Sequence, residues 1–219
     1  MSSGRAVALA SLGSLVAGVV LMLALHVLPP TNEISPVRRT LSQYALGPNK
    51  WIFDVAVLLV AIGSVLAFGV LVRQGVIRPL SGCTALGALW TLSLLVIVWF
   101  TKTDWTVGPS MGGTIHRYAS VVGFVSLPLA VIVVARRAFP TSVGWRLAAQ
   151  GFGLASLGSF GLILIGVVRM AGGGGPWWLF VPLGLVERAI TVTAVAAITV
   201  VVLGVLVRAK SDDVVAVPA

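Results

Sequence analysis

Few residues in this chain are able to move protons, and the most suggestive group of them is centred on a histidine. His116 follows Thr114, a residue type that favours a helix N-cap, and acidic residues occur in the loop before it. A histidine beside a carboxylate can act as a general base. The candidate partners are Asp54, Asp104 and Glu187, so these three residues and His116 are the predicted catalytic groups of an enzyme.

Two histidines together with two carboxylates would also suit a metal ion such as zinc. However, His26 and His116 come from separate segments, and the chain has no HExxH or paired CxxC spacing. GxSxG and Walker A motifs are absent as well. We therefore expect no metal and no other cofactor. The simplest interpretation of His116 is a histidine that hydrogen-bonds a carboxylate.

The composition is that of a membrane protein. The 219 residues are 58% hydrophobic and 10% charged, with a mean hydropathy of +1.07, whereas a soluble domain has roughly 25% charged residues. The net charge is +9, but the basic residues are scattered singly or in pairs between apolar runs. This pattern does not favour nucleic acid. Anionic lipid headgroups are the expected partners.

The apolar runs predict an all-α, polytopic membrane protein. A membrane-spanning helix needs about 20 predominantly apolar residues. Six such helices are predicted, at approximately residues 6–28, 51–73, 80–101, 115–136, 147–169 and 186–208. The interruptions between them are too short for a further domain. We expect one six-helix membrane domain over residues 1–210 and a short polar tail over residues 211–219.

The loops differ strongly between the two sides of this predicted bundle. With six helices both termini lie on one side, which carries eight of the Lys and Arg residues against seven on the other. This count alone does not fix the orientation. The opposite side holds all four acidic residues outside the tail and both histidines, so its basic residues have other reasons to be there. We expect a cell-membrane protein with both termini in the cytoplasm.

The first outer loop predicts a short amphipathic helix. Ser35 suits the N-cap and Pro36 the first helical position, while Gly47 and Pro48 suit the end. One interpretation is an interfacial anchor whose arginines contact lipid phosphates. The other is a cap over a pocket, with an arginine aimed at an anionic group. The apolar face would comprise Val37, Leu41, Tyr44 and Ala45, and the polar face Arg38, Arg39, Ser42 and Gln43.

Two arginines occupy unfavourable positions in the predicted helices. Arg117 and Arg188 fall in the first turn, where the helix dipole opposes a cation by about 0.3–1 kcal/mol. We expect carboxylates of other helices to compensate them, because charges within a membrane normally pair. Part of this network would then face a ligand. The candidate ligand-binding residues are Glu33, Arg38, Arg39, Ser42, Tyr44, Arg117 and Arg188.

Several of these residues together resemble a known family. They are the segments 33–36 and 42–44, Asp104, His116 and the Glu187–Arg188 pair. In these features, and over most of its length, the chain is similar to the bacterial six-helix membrane proteins grouped as domain of unknown function 998. That resemblance implies a membrane location and a six-helix layout, with no activity to transfer. More remotely, the layout is similar to the eukaryotic autophagy-modulator (DRAM-type) membrane proteins.

Three functions are compatible with the sequence. The first is binding of a lipid or other amphiphile through an outward-facing polar pocket. The alternative is an intramembrane enzyme that acts on a lipid or isoprenoid by acid–base chemistry of His116 and a carboxylate. A small-solute transporter ranks lowest, because transporters usually place charges near mid-membrane and the six apolar cores carry none there.

Overall fold

The computed structural model describes residues 3–215 of the chain, with the side chains of residues 3–208. This part is all-helical, and six of its helices are long and apolar enough to cross a membrane. The long helices are α1 (Ser3–Ala24), α2 (Lys50–Arg73), α3 (Gly82–Trp99), α4 (Met111–Ala138), α5 (Val143–Ala171) and α7 (Leu183–Val215); α6 (Trp177–Phe180) is a single turn between α5 and α7. The predicted fold class and the six spans are confirmed.

Several helix ends differ from the predicted ones. α1 stops at Ala24 instead of residue 28, just before the Pro29–Pro30 pair. α4 begins earlier than expected, because Ser110 and not Thr114 is its N-cap and accepts a hydrogen bond from the Gly113 N–H at 3.0 Å. α7 runs on into the expected polar tail as far as residue 215, and residues 216–219 lie outside the described part.

The short helix of the first loop is present in a different form. It is a 3-10 helix over Leu41–Leu46, preceded by a turn in which Arg39 N–H donates to the Ser35 carbonyl. Four of its six residues, Leu41, Ser42, Tyr44 and Ala45, are buried. We call residues 35–46 the strap. No α-helix starts at Pro36, and the Pro36 and Arg39 carbonyls accept hydrogen bonds from a side chain of α7.

Small and hydroxylated residues bring the helices close together. Ser11 and Ser14 of α1 donate to the Gly63 and Leu59 carbonyls of α2, each at 2.7 Å. Gly18 lies against the backbone of α2, where a Cβ atom would meet the Ala56 oxygen at 2.8 Å. Such close backbone approach is the usual way in which helices associate in a membrane.

The other half of the bundle is built on α4, α5 and α7. Gly153 of α5 lies against Ile132 of α4, and the Gln150 amide of α5 donates to the Ile132 carbonyl at 3.1 Å. Ser156 connects α5 to α7 through the Ile190 carbonyl. α7 also packs against α1, α2 and α4, so it contacts most of the bundle.

The two ends of the bundle have different surroundings. We call the end formed by residues 25–49, 100–110 and 172–182 the polar end, and the end that carries the chain termini the basic end. At the basic end, Arg73 donates to Ser3 and Arg208 donates to the Ala138 carbonyl. The groups of chemical interest in the described residues lie at the polar end.

The contact at Gly18 generates a stability prediction. Gly18→Val places side-chain atoms against the α2 backbone, and such overpacking costs about 1–3 kcal/mol. We expect a lower unfolding temperature in detergent. Gly13→Val on the same helix is the matched control, because no atom lies within 4 Å of a Cβ there. Equal unfolding temperatures for the two variants would contradict this account of the α1–α2 contact.

Candidate functional site

A cavity of about 70 Å³ lies inside the bundle near the polar end. Six elements line it: the helices α1, α2, α3, α4 and α7, and the strap. Its walls are mainly apolar, with a few polar side chains among them. The polar lining residues are Ser42, His116, Ser120, Glu187 and Thr191, and the apolar ones include Met22, Leu41, Phe53, Val57, Trp90, Leu94, Ile97 and Phe124.

His116 is held by a backbone carbonyl and not by a carboxylate. The side chain is 4% exposed and its Nδ1 atom lies 2.7 Å from the Phe100 carbonyl oxygen. A carbonyl can only accept, so Nδ1 carries the proton. The Ile97 carbonyl also interacts with the ring. The neutral ring keeps the Nε2 lone pair as an acceptor, and the described part of the chain makes no hydrogen bond to Nε2. The expectation that a carboxylate orients His116 is therefore wrong.

Glu187 reaches the same cavity from α7. The Leu41 N–H donates to its Oε2 atom at 3.0 Å, and the Ser42 N–H also interacts with the carboxylate. A carboxylate has about four acceptor sites, so this contact with the strap leaves others available. The structure thus brings His116 and Glu187, two of the four predicted catalytic residues, to one cavity.

Arg188, the next residue along α7, fastens the strap. Its Nη1 atom donates to the carbonyls of Pro36 and Arg39, both at 2.8 Å. Its Nη2 atom donates to the Tyr44 hydroxyl at 3.1 Å, and its Nε atom donates to His26 Nε2 at 2.9 Å. Neighbouring residues of a helix point about 100° apart. The Glu187 side chain therefore reaches the cavity, whereas the Arg188 side chain contacts the strap.

The expected ion pairs between arginines and carboxylates of other helices are not formed. Among the described side chains, only Lys50 and Asp54 come within 4.0 Å as an ion pair, and both belong to α2. Arg117 lies over the Trp105 ring at 5.8 Å instead. Because α4 and α7 begin earlier than predicted, Arg117 and Arg188 stand in the second turn, where the dipole penalty has fallen off.

The remaining candidates lie away from the cavity. Asp104 is in the loop after α3, where its Oδ1 atom accepts from the Thr106 hydroxyl and N–H. These two hydrogen bonds lower the pKa of Asp104 below its ordinary 3.8. Glu33, Arg38 and Arg39 are exposed at the polar end. Asp104 and the ion-paired Asp54 are thus not brought to His116.

Both nitrogen atoms of His26 are already used. Nδ1 lies 2.9 Å from the Met22 carbonyl and so carries the proton, while Nε2 accepts from Arg188. No group of three or more His, Cys, Asp and Glu side chains that could hold a metal ion occurs in the described part of the chain.

Lys102 is a contributor that the sequence reasoning missed. Its ammonium donates to Thr40 Oγ1 and Gln43 Oε1 of the strap, each at 3.0 Å. Burial lowers the pKa of Lys102 below its ordinary 10.5, and the nearby Glu187 carboxylate opposes that shift. The sequence feature that indicates such a role is a lysine that directly follows an apolar run, in a loop that also contains hydroxyl and carboxyl side chains.

The fold and the cavity define a class: a multi-pass, all-helical membrane protein with a mainly apolar cavity near one end. A family model described as "Protein of unknown function (DUF998)" matches residues 6–204. The chain belongs to this family. Comparison with curated proteins gives no match, and comparison with solved structures gives none either.

The hydrogen bonds of Arg188 generate a prediction about the strap. Hydrogen bonds to charged groups are worth roughly 1.5–3 kcal/mol each, so Arg188→Gln should release the strap. Trypsin cleaves after arginine, and Arg38 and Arg39 are exposed there. We expect cleavage at these sites to become at least about tenfold faster, as followed by mass spectrometry. Arg117→Gln is the control, and equal acceleration in both variants would contradict the role of Arg188.

The buried position of Lys102 generates a pH prediction. Its pKa is lowered in the folded protein, so the unfolded chain binds the proton more tightly. The free energy of unfolding should therefore rise with pH as pH approaches 10.5. In Lys102→Met this rise should be smaller. Thermal unfolding in detergent across the alkaline range measures it, with Lys50→Met as the control. A rise in Lys102→Met as large as in the unaltered protein would refute the prediction.

Proposed function

We propose that this protein binds a lipid or another amphiphile at its polar end. The observation that carries the proposal is that His116 and Glu187, two residues with acceptor atoms, line one cavity whose lining is otherwise mainly apolar. Ligand sites generally combine an apolar lining with a few convergent polar groups. The polar head of the amphiphile would occupy the cavity.

The size of the cavity limits which part of a ligand enters it. A water molecule needs roughly 10–15 Å³ of such space, so about 70 Å³ holds a group of a few heavy atoms. The apolar tail must then lie outside, along the membrane-facing surface of the helices. A small head and an external tail are the features of a membrane amphiphile and not of a soluble metabolite.

Surrounding lipids are the second set of proposed partners. Arg38, Arg39 and Arg117 are exposed at the polar end, where lipid phosphates attract guanidinium groups. We further propose that this end faces away from the cytoplasm in a cell membrane. These arginines would then hold anionic headgroups around the mouth of the site and would not enter the cavity.

Filling the cavity tests the proposal. Ser120 lines it and donates only to the His116 carbonyl within its own helix, so Ser120→Leu fills space at little structural cost. Ser159→Leu is the matched control, because Ser159 donates to Ala155 in the same manner on an exposed surface. We expect lipid extraction and mass spectrometry to recover an amphiphile from the unaltered protein and from Ser159→Leu, and at least about tenfold less from Ser120→Leu. Equal recovery from all three would refute the proposal.

A second candidate function is acid–base catalysis on such an amphiphile. It is favoured by the free Nε2 atom of His116, which shares a cavity with the Glu187 carboxylate. If the protein is an enzyme, the co-purified amphiphile should change mass on incubation with the unaltered protein and stay unchanged with His116→Gln. An amphiphile that is recovered intact from the unaltered protein would leave binding as the function.

A further inference from the structure

The hydroxyl hydrogens of Ser120 and Thr191, which line the cavity, already take part in hydrogen bonds within the protein. Ser120 donates to the His116 carbonyl at 2.9 Å, and Thr191 donates to the Glu187 carbonyl at 2.9 Å. The indole N–H of Trp90 donates to Ser64 on α2, also at 2.9 Å. These three lining residues therefore have no N–H or O–H left for a ligand, whereas the hydroxyl oxygens keep free lone pairs.

The two strongest polar groups of the cavity are acceptors as well. His116 offers the Nε2 lone pair, because Nδ1 carries the proton that binds the Phe100 carbonyl. Glu187 offers the carboxylate sites that the strap leaves unused. Ser42 is the one lining residue whose role is open, since either it or Thr40 can be the donor of the bond that they share.

The nearby cations do not supply donors to the cavity. Lys102 lies close enough to Glu187 to interact with it electrostatically, but its hydrogen bonds go to Thr40 and Gln43. Arg188 directs its guanidinium to the strap, His26 and its own helix. Neither cation belongs to the cavity lining. The cavity is thus rich in acceptors and poor in donors.

We propose that the cavity selects amphiphiles whose head donates hydrogen bonds and carries no negative charge, such as a hydroxyl or a primary amine. This selection rests on the proposed function. A donor head satisfies the lone pairs of His116 and Glu187. An ether head leaves both unpaired, which costs free energy in a buried site. A carboxylate head adds like charge beside Glu187 and brings no donor.

Four probes, each with a chain of sixteen carbon atoms, test this selection: hexadecanol, hexadecylamine, hexadecyl methyl ether and palmitate. Each is added to the protein in a detergent without charge, and the bound fraction is measured by native mass spectrometry from a solution at pH 9, so that carboxyl groups are ionised. We expect the alcohol and the amine to bind at least about tenfold more tightly than the ether and palmitate. An ether or palmitate that binds as tightly as the alcohol overturns the inference.

Glu187→Gln is the decisive variant. It keeps an oxygen for the Leu41 N–H, so the strap stays attached, but it replaces the other acceptor oxygen by a donating amide. The preference for donor heads over the ether should fall several-fold. Asp104→Asn makes the same change outside the cavity and should leave the preference intact. An unchanged preference in Glu187→Gln overturns the inference.

Ser120→Leu separates this inference from the proposed function. If Ser120→Leu abolishes all probe binding but the unaltered protein shows no preference among the four heads, the donor selection alone is refuted. Probe binding that Ser120→Leu leaves unchanged means that the cavity is not the site, and refutes both. Binding that Ser120→Leu abolishes, with the donor preference present, supports both.

Discussion

The guanidinium of Arg188 is the contact on which the polar end depends. The strap crosses the end of the bundle as a turn and a 3-10 helix, so the Pro36 and Arg39 carbonyls have no helical N–H partners. Backbone carbonyls are strong hydrogen-bond acceptors. Arg188 pairs both of them from α7 and at the same time holds Tyr44 and His26. One side chain therefore joins the first loop, the end of α1 and the last helix.

The cavity follows from this arrangement. With the strap fixed by Arg188, the Leu41 N–H is brought to Glu187, and Leu41 and Ser42 become part of the cavity wall. Lys102 holds the outer side of the same segment through Thr40 and Gln43. The acceptor-rich lining is then a result of local geometry, because serine and threonine in helices give their protons to carbonyls one turn earlier.

Much of the architecture was predictable, because long apolar runs and their interruptions are visible in the sequence. The concentration of acidic residues and histidines near one end was equally visible, and it led to His116 and Glu187. The partners of these residues were not predictable. His116 and Arg188 bind backbone carbonyls, which every residue carries, so no pattern of side chains reveals them. For the same reason an α-helix was predicted where the strap forms a 3-10 helix.

The helix starts show a second limit of the sequence. Ser110 and Thr114 are both suitable N-caps by residue type, and the structure uses Ser110. That choice moves Arg117 from the first turn to the second and removes the reason to expect a compensating carboxylate. Lys102 was missed because its partners, Thr40 and Gln43, are some sixty residues away in the chain.

The rarity of ion pairs at the polar end has a consequence for its response to dissolved salt. Counterions screen attraction between separated surface charges over about 8–10 Å. Arg188 instead meets neutral oxygen and nitrogen atoms at hydrogen-bond distance, where no mobile ion can intervene. Raising the ionic strength should therefore weaken the half-buried Lys50–Asp54 pair and leave the anchoring of the first loop intact.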